Sequence, residues 1–211
     1  MIKPAQYIDY EPLKSVDGLR FRHFSDEHDY QVRLDIFNAC KEVNAIDYVI
    51  TLDDIKNDEK WTKNYDISKN FFYVEYADRI VGYFGYSWDV ETDGKVIYYP
   101  FGNLLPEFWG LGIAALMLQY AEEKCSEIAT EKHTGLDRRF RIGTKKNAIA
   151  TVKFLSGKGY SIERYFFAMN RPINAALADH PLPAGLEIRP VEPAHYKAIW
   201  DADFENFKDH W

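Results

Sequence analysis

Pro106-Glu107-Phe108-Trp109-Gly110-Leu111-Gly112-Ile113-Ala114 runs without a gap into Ala115-Leu116-Met117-Leu118-Gln119-Tyr120-Ala121-Glu122-Glu123. Ile113, Leu116, Met117, Tyr120 and Ala121 recur at helical spacing, and Gln119, Glu122, Glu123 and Glu127 take the other face, so residues 113–128 read as an amphipathic helix. Upstream, Val96-Ile97-Tyr98-Tyr99-Pro100-Phe101 opens a strand over 96–105. Strand, glycine loop and helix N-terminus in that order form an anion site, because the first helical amides lack partners and the helix dipole adds positive potential. Gly110 and Gly112 carry no side chain to hold a ligand off the backbone. For the pair taken alone, a tight turn that needs glycine is the plain alternative. The third glycine of a dinucleotide fingerprint is absent, and no Gly-Lys-Ser/Thr follows to make a Walker loop.

Working outward, the elements alternate. Residues 19–24 read as a strand, 26–43 as a helix with Ser25 as N-cap, and 52–61 as a second helix. Residues 71–76 and 80–88 read as strands around Asp78-Arg79, and Asp93-Gly94 turns the chain into the strand over 96–105. After the central helix come a strand over 140–143, a helix over 148–155 and a closing strand or strand pair over 160–169. The order β-α-α-β-β-β-α-β-α-β predicts an α/β fold with a mixed sheet flanked by helices.

Composition narrows the function classes. A length of 211 residues suits one good-sized domain plus something more. The net charge of −7 argues against a general nucleic-acid binder. No apolar run is long enough to span a membrane, and Met1-Ile2-Lys3-Pro4-Ala5-Gln6 lacks the apolar core of a signal peptide. Cys40 and Cys125 have no metal spacing and suit a reducing cytoplasm as buried apolar residues, and the six histidines are scattered, so no metal site is expected.

The loop resembles the coenzyme A pyrophosphate loop of the GNAT acetyltransferase superfamily, Gln/Arg-x-x-Gly-x-Gly/Ala, with Trp109 where Gln or Arg is usual. A second segment, Asn147-Ala148-Ile149-Ala150-Thr151-Val152-Lys153-Phe154-Leu155-Ser156-Gly157-Lys158-Gly159-Tyr160, is similar to the family's run from an Asn through a helix to Phe-Leu-x-x-x-Gly-Phe. Together with the element order, the resemblance covers residues 18–172. It implies the GNAT acyltransferase fold, in which the strands over 96–105 and 140–143 splay apart to admit acetyl-CoA as cosubstrate. Amides of Gly110, Leu111, Gly112, Ile113 and Ala114 would hold the pyrophosphate. Main-chain groups of Leu104 and Leu105 would meet the pantetheine and the acetyl carbonyl, and Gly102 would permit a bulge in that strand. Asn147 and Phe154 mark the second segment of the coenzyme site, although a helix cap and plain core packing account for them equally. Trp109 would stack on the adenine or cover the sheet edge, and Lys145 and Lys146 could supply the missing charge. Many relatives place a catalytic tyrosine acid where Leu155 stands, and some a glutamate base where Tyr98 stands. The catalytic groups are thus unassigned, with Tyr99, Tyr160 and Tyr165 as candidates.

These features imply an N-acetyltransferase acting on a small-molecule amine in the cytoplasm, without nucleic acid or membrane partners. The alternative is a catalytically weak, coenzyme-binding or structural GNAT domain that supports a partner domain. A more distant alternative is an unrelated nucleotide-binding α/β module.

There is also an internal echo. Gly18-Leu19-Arg20-Phe21-Arg22 with Phe24 and His28 returns as Gly185-Leu186-Glu187-Ile188-Arg189 with Val191 and His195, an interval of 167 residues from 18 to 185. The arrangement resembles tandem GNAT proteins of the mycothiol synthase type. It divides the chain into an N-terminal extension (1–17), a GNAT domain (18–172), a linker (173–184) and the start of an incomplete second domain (185–211). In that second domain a strand over 185–191 and a helix over 194–207 are expected. An apolar face left on such a tail predicts a homodimer through it.

Overall fold

The computed structural model describes residues 5–176 and 180–208. Five strands form one sheet in the order β1 (Leu19–His23), β2 (Phe71–Tyr76), β3 (Arg79–Val90), β4 (Val96–Leu104) and β5 (Arg138–Phe140). The first three pairings are antiparallel, and β5 lies parallel to β4 after the crossover through a long helix. Helices α1 (His28–Ala39), α2 (Leu52–Trp61) and the short α3 (Ile67–Asn70) precede β2; α4 (Ile113–Lys132) and α5 (Ile149–Gly157) follow β4 and β5. The mixed α/β sheet expected from the sequence is therefore present.

Strand alternation divides the core in two. Phe21, Phe72, Val74, Phe84, Tyr86, Tyr98 and Leu104 pack with Ile113, Leu116, Met117 and Tyr120 of α4. On the opposite face, Phe71, Tyr73 and Tyr83 pack with Ile36 and Cys40 from α1 and its C-cap. Aromatic rings dominate both layers; Tyr120, for example, meets Phe72 edge-on at 5.2 Å. Ahead of β1, Tyr7 forms an isolated bridge with Arg22, Ile8 N–H bonds Phe21 C=O at 2.9 Å, and Leu13 is buried.

Several local expectations change. Helix α1 is shorter than expected, and Ser25 is not its cap: the N-cap is Glu27, without a side-chain bond. The Ser25 amide instead donates to the Asp29 carboxylate at 2.7 Å. Gly102 carries no bulge, since the β3–β4 register is continuous; the shift lies at Val74/Glu75. A Cβ on Gly102 would lie 2.7 Å from Tyr83 C=O, so glycine there serves the close approach of two backbones. The third strand-to-helix step, from β5 to α5, also moves. β5 is Arg138–Phe140 rather than 140–143, and α5 takes Ala148 as its N-cap, which leaves Asn147 exposed and outside the helix.

The chain separates into two compact units, residues 1–159 and 160–211. In the second, neither 160–169 nor 185–191 forms a strand. Among the described residues no strand lies alongside either stretch to form a ladder with it, and a lone two-stranded or unpaired segment is not stable as a strand in water. Phe166 is 81% exposed and Met169 93%. The expected helix does form, as α6 (Tyr196–Phe207), preceded by a 3-10 turn, Pro193–His195. Its start and end both lie 168 residues after those of α1 (28 to 196, 39 to 207).

Cys40 and Cys125 are fully buried and unpaired. Burial pushes the Cys40 thiol up to about 11 and the Cys125 thiol to about 12. Neither is expected to react with iodoacetamide at pH 8 in the native protein, and both are expected to react in denaturant. Mass spectrometry reads the difference, and labelling of the native protein at a free-thiol rate would contradict this packing.

Candidate active-site cleft

The site begins where β4 outruns β5. Pairing between them ends at Tyr98↔Phe140, and the Arg141 amide donates to Tyr98 C=O at 2.8 Å. Beyond this point six residues of β4 continue with β3 on one side and no described strand on the other, an open edge about 20 Å long at the usual strand rise. Antiparallel pairing directs alternate residues to opposite edges. Leu105 N–H bonds Val81 C=O at 2.9 Å, so odd-numbered residues of β4 face β3. Even-numbered residues therefore present main-chain groups to the open edge: the carbonyl of Pro100, the amide and carbonyl of Gly102, and the amide of Leu104. The Leu104 carbonyl is engaged, accepting from Trp109 Nε1 at 2.9 Å and from Cys40 Sγ at 3.4 Å.

This edge leads into the glycine loop. A 3-10 turn, Pro106–Phe108, brings the chain round to Trp109. Trp109 is partly buried against the α4-side core, and its indole bond to Leu104 straps the loop to the end of β4. Gly110 and Gly112 both have φ of +82°, and Gly112 is the N-cap of α4. That left-handed backbone is why glycine is needed at both. A Cβ on either would meet nothing within 4 Å beyond its chain neighbours, so neither glycine is required by crowding. Among the described residues, the amides of Gly110, Leu111, Gly112, Ile113 and Ala114 donate no backbone hydrogen bond, and Ala115 is the first to do so, to Gly112 C=O at 3.1 Å. The first turn of α4 carries no acidic residue to compete for them. Five amides, a helix N-terminus and an open strand edge thus form one continuous run of main-chain groups.

The candidate side chains fall in different places. Tyr98 is buried on the α4 face, where its Oη pairs with His133 Nδ1 at 2.6 Å, and burial raises its hydroxyl pKa; it does not reach the cleft. Tyr99 is half-buried and shares the opposite face with Phe101 and Asn103 by strand alternation. Tyr160 and Tyr165 belong to the second unit. In α5, Leu155 is buried and Phe154 half-buried. Lys145 and Lys146 are exposed, and Lys145 lies 3.6 Å from Asp47. The Arg79 guanidinium, at the start of β3, lies over the Phe108 ring at 5.5 Å, beside the loop.

Sequence reading missed a polar chain on the α1 face. Thr151 of α5 donates to Asn44 Oδ1 at 3.1 Å; Asn44 Nδ2 donates to Asn103 Oδ1 at 2.8 Å; Asn103 Nδ2 donates to Tyr83 Oη at 2.7 Å. The chain joins α5 and the segment after α1 to β4, one residue before Leu104. Its members lie 107, 59 and 20 residues apart, so no local motif announces it.

A family model described as Acetyltransferase (GNAT) family matches residues 34–158. Among solved structures, the fold is similar to a GCN5-related N-acetyltransferase from Sphaerobacter thermophilus, with a TM-score of 0.67 at 15% identity. That alignment covers 90% of this chain and 58% of the other, so the chain spans little more than half the length of that relative. It is also similar to a possible acetyltransferase from Clostridium difficile 630, with a TM-score of 0.50 at 12% identity, over 75% of this chain and all of the other. No curated protein matches. No helix among the described residues is long and apolar enough to cross a membrane.

Proposed function

The chain belongs to the GNAT acetyltransferase family, and from that premise we propose that it transfers the acetyl group of acetyl-CoA to the amine of a small molecule. The observation that carries this reading is the open edge of β4 running directly into the five free amides of the loop before α4. Amides of Gly110 to Ala114 hold the pyrophosphate. The Gly102 amide and carbonyl pair with the amides of the pantetheine arm, and the Leu104 amide donates to the thioester oxygen. In the transfer a carbon–nitrogen bond forms as the carbon–sulfur bond breaks. The ammonium gives up a proton before attack, and the thiolate, with an intrinsic pKa near ~8.5 by analogy with cysteine, accepts one. Tyr99 is the candidate in the first unit for that proton traffic. Asn147 and Phe154 are retained as contacts of the coenzyme, and Trp109 acts through the strap it makes to Leu104.

The test is release of free thiol from acetyl-CoA in the presence of a panel of amines. Amine-dependent release supports the transferase. Coenzyme A binding with no turnover on any amine would favour the second reading, a coenzyme-binding domain supporting a partner. Leu155 favours that reading, because the position that carries a tyrosine acid in many relatives holds a buried aliphatic side chain.

The recurrence of a helix after 168 residues, one more than the 167-residue interval of the sequence echo, supports a tandem arrangement in which 185–211 begins a second domain. Ile188, Val191, Ile199, Trp200 and Phe204 are exposed. Burying each is worth roughly 1.5–3 kcal/mol, so this tail is proposed to associate with another copy or with the remainder of a second domain.

A further inference from the structure

The Leu104 amide lies in a stretch of β4 that is fastened from several directions. The Asn103 carbonyl faces β3, and a trans peptide then aims the Leu104 N–H the opposite way, into the open edge. The Leu104 carbonyl is held by the Trp109 indole and the Cys40 thiol, and the Leu105 amide by Val81 C=O. The Asn103 side chain is held at both ends, with Oδ1 accepting from Asn44 Nδ2 at 2.8 Å and Nδ2 donating to Tyr83 Oη at 2.7 Å. Asn44 itself stands in a tight turn after α1. Its amide donates to Cys40 C=O at 3.0 Å, the Ile46 amide donates to Lys41 C=O at 2.8 Å, and Ala45 between them takes a left-handed φ of +53°.

From that turn Asn44 reaches two elements at once. Its Nδ2 holds Asn103 on β4, and its Oδ1 accepts from Thr151 Oγ1 of α5 at 3.1 Å. Thr151 and Leu155 are one helical turn apart and share a face of α5, and Leu155 is buried. Lys145 and Asp47 join the same two segments at 3.6 Å, but both side chains are exposed, and an exposed pair holds little. The tie between α5 and the end of β4 therefore runs through one side-chain amide. We propose that Asn44 is a positioning residue for the transfer: through Asn103 it fixes the direction of the Leu104 amide, and through Thr151 it keeps α5 in register with that amide. A donor held in place beforehand stabilises the oxyanion that develops on the thioester carbonyl without reorganising, so loss of Asn44 falls on the chemical step rather than on coenzyme binding. This inference rests on the transferase reading, which puts the thioester oxygen at Leu104.

The experiment is carbon NMR of acetyl-CoA isotopically labelled at its carbonyl, bound to the native protein and to Asn44→Leu, with free coenzyme A affinity measured by calorimetry. A hydrogen bond to the carbonyl oxygen draws electron density from the carbon, so the resonance should move downfield on binding to the native protein. In Asn44→Leu that displacement should largely be lost, while the affinity for free coenzyme A, which has no carbonyl there, stays unchanged. With any amine that turns over, kcat should fall by about tenfold, less than the roughly 10²–10³-fold cost of deleting such a donor outright, at an unchanged KM for acetyl-CoA. Thr151→Val, which removes only the hydroxyl, should reduce the displacement in the same direction, and Thr151→Ser should restore it; this pair decides the matter if Asn44→Leu does not fold. No displacement in the native protein, a native resonance in folded Asn44→Leu, a loss of coenzyme A affinity that parallels the loss of displacement, or Thr151→Ser behaving as Thr151→Val would each overturn the proposal while leaving the coenzyme site in place. Failure of the native protein to bind acetyl-CoA at all would overturn the transferase reading and this proposal with it.

Discussion

Leu111→Glu is expected to weaken coenzyme A binding about tenfold to hundredfold while leaving the melting temperature unchanged. Leu111 sits between the two glycines and is 45% exposed, so its side chain contributes little to the core. A glutamate there places a negative charge beside the pyrophosphate. Two unit charges about 6 Å apart repel by about 1.4–2.8 kcal/mol at an effective dielectric of about 40 to 20, which is that range of affinity. Leu111→Gln controls for the change of shape and should bind nearly as well as the native protein. The effect should shrink as salt is raised. Unchanged affinity of the Glu variant at low salt would remove the pyrophosphate from this loop. Substituting Gly112 with a branched residue is a poorer probe, because a φ of +82° strains any such side chain and confounds binding with folding.

The largest stability effect is expected at Asp29. Its carboxylate accepts from Arg22 Nη1 and Nη2 at 2.8 and 2.6 Å and from the Ser25 amide at 2.7 Å, and its main-chain carbonyl accepts from Tyr73 Oη. Asp29→Ala leaves the Arg22 guanidinium buried with Glu75 as its remaining counter-charge and the His23 carbonyl as a neutral acceptor. Breaking a buried pair by removing one partner costs about 3–5 kcal/mol. For a chain of this size that lowers the melting temperature by roughly 6–20 °C. Replacing Arg22 and Asp29 together with apolar residues of similar volume should recover much of the loss, since the desolvation cost goes with the charges. A single variant as stable as the native protein would show that this network does not hold β1 to α1.

The features legible in the sequence were those with local causes. Thr51 caps α2 through a capping box with Asp54, and the helix runs over Leu52–Trp61 as its pattern predicts. The left-handed glycines before α4 declared themselves because only glycine tolerates that backbone cheaply. Less legible were features made by pairing at a distance. The stretches over 160–169 and 185–191 have the apolar character of strands, but composition does not supply a neighbouring ladder, and neither is a strand. Asp29 looked like an ordinary first-turn residue of a helix, yet it caps the chain at Ser25 and neutralises Arg22. Likewise the glycine loop before α4 is legible in the sequence, while the polar chain on the α1 face is not. Asn44, Tyr83, Asn103 and Thr151 come together only when the segment after α1, β3, β4 and α5 are folded against one another. The sequence suggests that Trp109 stacks on the adenine or covers the sheet edge; its observed bond is to the backbone carbonyl of Leu104.

The most direct measurement is a crystal structure of the protein with coenzyme A. The pyrophosphate should lie within hydrogen-bond distance of the amides of Gly110 to Ala114, and the pantetheine arm should run along the open edge of β4 with its amides on Gly102. Density for the coenzyme elsewhere on the molecule, or an empty cleft at a coenzyme concentration that calorimetry shows to be saturating, would contradict the assignment of this cleft.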